Sequence, residues 1–273
     1  MTAKTEKDYV LGTHDEEIAR LGLQHRVWRP STLESWSRAG ITVGSRVIDV
    51  GAGPGYATID LAEIVESTGE VLAIERSERF LKIAQHACRA RGLTNVHFRQ
   101  VDLVQDSLGR LDFDAAWCRW VACFVSDPAK LVHNIGAALR PAGVAIFHEY
   151  IDYRTWSFVP PRPAHESFVE EVMASWRANG GEPDVARFMS PWFSSAGLRV
   201  MDIRPRVLII SPSDYAWQWP ARFIESNLAR LLELRRVTAD WAESVRKEFT
   251  EAEADPSTLC ITPLFVEIIA RKE

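Results

Sequence analysis

Cysteine, excess basic charge and long apolar runs are all scarce in this chain, and each scarcity removes a class of protein. The four cysteines, Cys88, Cys118, Cys123 and Cys260, form neither a CxxC pair nor the dense spacing of a disulfide framework. A zinc ribbon and a small oxidised scaffold are thereby set aside, and the cysteines read as buried small side chains in a reducing compartment. Lysine and arginine number 32 against 37 acidic residues, a formal net charge of -5 with no basic run, so there is no field to hold a nucleic-acid backbone. No apolar stretch approaches the roughly 20 residues that a membrane helix needs, and the opening MTAKTEKDYV lacks the apolar centre of a leader peptide. The chain reads as a cytoplasmic protein that meets neither membrane nor nucleic acid.

What is present is a globular composition, 47% hydrophobic and 25% charged over 273 residues, long enough for one α/β core carrying extra elements. The first 40 residues predict two helices, Asp15 to Leu23 and Arg26 to Ala39, with Pro30 at the kink or start of the second and Gly40 as the stop. From Arg46 short apolar runs alternate with amphipathic segments, the pattern of βα units around a parallel sheet. Strands are expected at Val47 to Val50, Val71 to Ile74, Val96 to Val101, Phe113 to Cys118 and Val144 to Phe147. Ser77 and Asp127-Pro128 are placed to open the helices between them. Beyond Tyr150 the alternation stops, and a helix around Glu166 to Asn179 reads as a cover. A long strand from Leu198 to Ile210, two helices between Ser213 and Glu253, and a closing strand from Leu259 to Ala270 complete the expectation.

The chemistry is concentrated in VIDVGAGPGYATIDLA, where Gly51, Gly53 and Gly55 follow the first core strand and precede a helix. Glycines at such a turn let a nucleotide lie against bare backbone. The spacing is GxGxG, with Tyr56 where a dinucleotide site carries its third glycine. Asp49 stands two residues before the first glycine, where a carboxylate repels a pyrophosphate and suits a cationic ligand. Glu75 ends the second strand, 20 residues beyond the last glycine, where its two oxygens can accept both hydroxyls of a ribose.

From Arg46 to Tyr150 the sequence resembles the class I S-adenosylmethionine-dependent methyltransferases. The resemblance implies a doubly wound α/β fold whose seven-stranded sheet has six parallel strands and an antiparallel seventh, filled here by Leu264 to Ala270, with helices on both faces. It further implies that Asp49, Gly51, Ala52 and Gly53 wrap the methionine portion of S-adenosylmethionine. Glu75, with Arg76 beside it, takes the ribose; Asp102 and Leu103 meet the adenine; Arg119 and Trp120 line the methionine end and the substrate mouth. In the same resemblance Tyr9, His14, His25 and Trp28 belong to an N-terminal lid. The implied organisation is a lid at residues 1–43, a cofactor-binding core at 44–150, a helical cover at 151–197, and C-terminal strands at 198–273 with a helical insertion at about 213–254.

The chain departs from the family in two places. The Asn/Asp-Pro-Pro-Tyr/Phe sequence of base and glutamine N-methyltransferases is replaced after the fourth strand by CRWVACFV, and the connection between the last two strands is long. The missing motif, with the acidic charge and an aromatic cover, favours a small-molecule acceptor, phenolic, polyketide-like or quinone-like, methylated on O, C or N, and the long connection bears on the cap and the substrate. Of the ten tryptophans, Trp156, Trp176, Trp192, Trp217, Trp219 and Trp241 fall in the cover segments, where they suit an apolar pocket or plain packing. His148-Glu149-Tyr150 follows the fifth strand, and His148 and Tyr150 are the candidate catalytic groups, the imidazole being a possible general base. No metal is expected. The alternatives are a protein of the same fold that binds S-adenosylmethionine and acts as a cyclase or regulatory module, and a nicotinamide-dependent oxidoreductase, against which Asp49 and the missing third glycine count.

Overall fold

The computed structural model describes residues 14–273, so Tyr9 lies outside the described residues. The expected pair of N-terminal helices is one helix, α1 (Asp15–Ala39), which runs through Pro30 and ends at the left-handed Gly40. Proline removes one backbone bond from the ladder. The hydroxyls of Ser31 and Thr32 both donate to the carbonyl of Trp28 at 3.0 Å around this point, and Trp28, Thr32, Ser35 and Trp36 are buried on either side of it. Packing on both sides of the proline thus keeps the two halves as one rod.

The core alternates strand and helix except between its third and fourth strands, which a loop joins: β1 (Arg46–Val50), α2 (Tyr56–Val65), β2 (Glu70–Glu75), α3 (Glu78–Ala90), β3 (Val96–Gln100), β4 (Phe113–Arg119), α4 (Pro128–Ala138) and β5 (Leu139–Asp152). Ser77 caps α3 by accepting from Phe80 N–H, and Asp127 caps α4 by accepting from Lys130 N–H. After β5 come β6 (Ser157–Val159), α5 (Pro163–Ala178), α6 (Met189–Ser195), β7 (Leu198–Arg206), β8 (Ile209–Ile210), α7 (Gln218–Glu233), α8 (Ala239–Ala254), β9 (Leu259–Ile261) and β10 (Leu264–Lys272).

Seven strands form one sheet in the order β3-β2-β1-β4-β5-β10-β7. β10 is antiparallel to both of its neighbours, so the other six strands are parallel to one another. Both faces are covered, which is why the central strands are continuous apolar runs. On one face Trp36 and Leu61 pack with Val47, Trp117 and Ile146; on the other Leu131, Val172 and Phe193 pack with Ile48, Ala116 and Phe147.

Two expected long strands are each divided. Residues 198–210 split into β7 and β8, and residues 259–270 into β9 and β10, with β8 and β9 joining β6 in a separate small sheet. The break falls where Pro263 has no N–H to give and where Thr262 is tied to Leu208 instead, donating N–H to its carbonyl and accepting its N–H on the hydroxyl. Among the described residues no helix is long and apolar enough to cross a membrane.

Candidate active site

A cavity of about 360 Å³ opens at the carboxyl ends of β1, β2, β4 and β5, bounded above by α1 and the cover. This is the crevice where open α/β sheets take ligands. The turn after β1 places Gly51, Gly53 and Gly55 at φ of 66°, 53° and 88°, and their roles differ. A Cβ on Gly51 would lie 2.5 Å from Val121 Cγ2, and one on Gly55 would lie 2.6 Å from Ala84 Cβ. Those two glycines serve close packing. A Cβ on Gly53 would meet nothing within 4 Å, so this glycine borders open space in the cavity wall.

Asp49 is buried at 2% exposure beneath the turn. It accepts the Thr58 hydroxyl at 2.5 Å, and burial pushes its pKa up to about 6 despite that bond. Glu75 accepts three backbone N–H groups, from Gly53 at 3.0 Å, Arg76 at 2.8 Å and Ser77 at 2.9 Å, which fix both oxygens at the rim; burial raises its pKa. Asp102 accepts Val104 N–H at 3.0 Å and holds the loop after β3. All nine residues expected at the cofactor, Asp49, Gly51, Ala52, Gly53, Glu75, Arg76, Asp102, Leu103 and Arg119, border this one cavity.

Arg119 ends β4 and is tied to α1, donating to Thr32 Oγ1 at 3.1 Å and meeting His25 Nδ1 at 3.1 Å. His25 Nε2 stands 3.0 Å from Asp60 of α2, and Arg29 binds the same carboxylate at 2.6 Å. Because burial lowers the His25 pKa, the ring is neutral near pH 7, with Nδ1 accepting from Arg119 and the proton on Nε2. Burial lowers Arg119 to about 10, so it stays cationic. One cavity therefore offers a carboxylate at Asp49 and a guanidinium at Arg119, a matched pair for a zwitterionic ligand.

The lining is also aromatic, with Trp117, Trp120, Phe124, Tyr150, Trp176 and Phe223 on the cavity wall. Tyr150 reaches this wall and stacks on Trp120 at 5.2 Å. His148 does not border the cavity. Two residues back along β5, about 6.5 Å deeper, it is fully buried, bonded to the Ser35 hydroxyl at 3.2 Å and 3.5 Å from Glu267. Burial lowers its pKa well below the usual histidine range. The expectation of His148 as a cleft-facing base fails on this depth, since Trp117, at 4.5 Å, lies against its ring.

Glu149, between them on the opposite face, had no assigned role. Its carboxylate accepts the N–H groups of Val121 and Ala122 at 2.9 and 2.8 Å and of Cys123 at 3.4 Å, with burial pushing it up to about 7. It holds the loop that follows Arg119 and Trp120. Of the cover tryptophans Trp176 borders the cavity, and Trp219 stacks on Trp120 at 6.0 Å. His14 caps α1 through its ring, and Trp28 packs edge-on against Trp120. The sequence places His25 and Trp28 in the lid, and no local pattern in it signals the link from His25 to Arg119.

Comparison with known proteins bears on the family and the fold. Over 123 residues the chain is 26% identical to the demethylmenaquinone methyltransferase of Staphylococcus carnosus, a match covering 45% of this chain and 49% of that protein. The chain thus spans about half the length of the curated relatives it matches. Among solved structures it is similar in fold to the [4+2]-cyclase SpnF, with a TM-score of 0.55, 21% identity, and coverage of 89% of this chain and 80% of that one. It is similar also to the YcgJ protein of Bacillus subtilis, at a TM-score of 0.55, 18% identity and coverage of 85% and 93%. Residues 41–189, more than half of the chain, match the family model described as a methyltransferase domain, and the chain belongs to that family.

Proposed function

We propose that this protein binds S-adenosylmethionine and transfers its methyl group to a small, flat aromatic or hydrophobic acceptor. The observation that carries the reading is the pairing of Asp49 and Arg119 in one cavity with the open backbone at Gly53 and the carboxylate of Glu75 at its rim. Asp49 faces the ligand's ammonium, Arg119 its carboxylate and Glu75 its ribose hydroxyls. The Asp49 carboxylate beneath this turn opposes a pyrophosphate, which counts against a dinucleotide. When bound, the cofactor supplies an electrophilic methyl on a sulfonium.

The chain's own part is alignment and exclusion of water. Asp49, Glu75 and Arg119 would hold the cofactor, which would supply its methyl group to an electron pair of the acceptor and leave as S-adenosylhomocysteine. Asp49 and Arg119 would fix the donor side of the cavity, and the aromatic wall the acceptor side. Tyr150 is the titratable group at the wall that remains a candidate for handling the acceptor's proton. In this reading α1 acts as a lid over the 44–150 core, and the segments 151–197 and 213–254 act as the cover. The curated relatives named for quinone methylation support a quinone-like acceptor.

The test is turnover: the protein is incubated with S-adenosylmethionine and a series of phenols and reduced quinones, and S-adenosylhomocysteine is measured. Formation that depends on an acceptor supports methyl transfer. Tight binding of both adenosyl ligands with no turnover on any acceptor would favour the non-methylating alternative.

A further inference from the structure

On the cavity side of α1 one side-chain amide has its orientation fixed by its neighbours. Arg20, Leu21 and Gln24 of this helix line the cavity. Arg20 and Glu17 are both buried, and the Glu17 carboxylate accepts Arg20 Nε and Nη2 at 2.7 Å each, so the pair brings no net charge to the cavity. The remaining nitrogen of the guanidinium, Nη1, donates to Gln24 Oε1 at 3.0 Å. The same oxygen accepts Trp219 Nε1 of α7 at 3.2 Å.

A guanidinium and an indole can only donate. With both aimed at one atom of the Gln24 amide, that atom must be the oxygen, because the flipped amide would set N–H against N–H twice. The amide nitrogen is the atom left over. Gln24 Nε2 has no hydrogen-bond partner among the described residues, and it is not one of the buried nitrogens sealed from solvent. Its two N–H groups are open to a ligand.

The surroundings of this amide are aromatic. Trp219, which donates to it, stacks on Trp120 at 6.0 Å and 13°, and the Arg20 guanidinium lies 5.5 Å from the Phe223 ring; Trp120 and Phe223 both line the cavity. Asp49 and Arg119 have other anchors, Thr58 for the first and Thr32 with His25 for the second. Hydrogen bonds in a chain polarise one another: an amide oxygen that accepts from a guanidinium draws density from its nitrogen and sharpens the N–H groups as donors. Such a group suits an oxygen with lone pairs and has nothing to offer an ammonium.

We propose that Gln24 is a specificity-determining residue whose Nε2 binds an oxygen, carbonyl or phenolate, of a planar aromatic acceptor lying beneath α1. The inference rests on the methyl-transfer reading of the cavity and names the group of the acceptor that α1 recognises. It is tested by equilibrium dialysis of the protein saturated with S-adenosylhomocysteine against 2-acetylnaphthalene and 2-ethylnaphthalene, probes of nearly equal shape that differ by one carbonyl oxygen. The ketone should bind about three- to tenfold tighter, the range of one neutral hydrogen bond. Gln24→Met, which keeps the length of the side chain and removes the amide, should bring the two probes within about twofold of each other. Gln24→Glu keeps an oxygen for Arg20 and Trp219 but puts a second oxygen where the N–H groups stood, and should abolish or reverse the preference. Thermal unfolding confirms that each variant is folded. Wild-type protein that holds S-adenosylhomocysteine but does not prefer the ketone overturns this inference alone. So does a preference that survives Gln24→Met, and a Gln24→Met variant that keeps the preference but loses about tenfold in S-adenosylhomocysteine affinity would move the amide to the cofactor instead. Failure of S-adenosylhomocysteine to bind the wild type overturns the methyl-transfer reading and this inference with it.

Discussion

His25 receives the guanidinium of Arg119 on Nδ1 at 3.1 Å and presents Nε2 to the Asp60 carboxylate at 3.0 Å, so that a cation lining the cavity is held by α1 and α2 at once. His25→Ala would free Arg119 from that anchor. A hydrogen bond to a charged group contributes about 1.5–3 kcal/mol, so affinity for S-adenosylhomocysteine should fall about 10-fold, read by calorimetry. His25 has a lowered pKa in the folded state. Its contribution to stability is therefore present above the unfolded value near 6.5 and is lost as pH falls through the folded value, where a proton on Nδ1 would face the guanidinium. Thermal unfolding from pH 7 to pH 5 should show a loss in the wild type that is smaller in His25→Ala.

Asp49 predicts a pH dependence of binding. With its pKa raised to about 6 by burial, the carboxylate that would meet the ligand's ammonium is ionised above that pH and neutral below it. Affinity for S-adenosylhomocysteine should rise from pH 5 to pH 7 and then level off, and Asp49→Asn should remove the step. At neutral pH, Asp49→Ala and Glu75→Ala should each weaken binding about tenfold or more.

His148→Asn separates structure from chemistry. His148 is enclosed behind Trp117 and bonded to Ser35, so the substitution should lower stability by about 1–3 kcal/mol while the pH profile of turnover keeps its shape. Loss of one limb of that profile would restore the histidine as a base.

Gly55→Ala and Gly53→Ala should differ in what they damage. At Gly55 the new methyl meets Ala84 Cβ at 2.6 Å and its Cα at 3.0 Å, adding overpacking to the left-handed penalty of about 1–2 kcal/mol. Gly53→Ala carries the left-handed penalty alone, because its methyl enters open space, and should weaken adenosyl-ligand binding instead. Paired melting and titration curves distinguish them.

The cofactor end of the cavity was legible because its geometry is local. Asp49, the three glycines and Glu75 are placed by one βα turn and the end of the next strand, and the strand-to-helix pattern fixes both. The parallel core was legible for the same reason. The anchoring of Arg119 was not, since His25 lies 94 residues from Arg119 and Asp60 lies 35 residues from His25. The left-handed backbone at Trp120 and the cap by Glu149 depend on a strand pairing that no spacing reveals. Pro30 misled because proline's local preference for ending a helix is outweighed by the burial of Trp28 and Trp36 on either side. The division of residues 259–270 between two sheets follows from tertiary bonds of Thr262 to Leu208, although Pro263 marked the place.

The most direct test of the central claim is calorimetric titration of the protein with S-adenosylmethionine, S-adenosylhomocysteine and NADH in parallel. The account predicts micromolar binding of both adenosyl ligands and none of NADH. Binding of NADH, or of none of the three, would contradict the assignment of Asp49, Glu75 and Arg119 to an S-adenosylmethionine site.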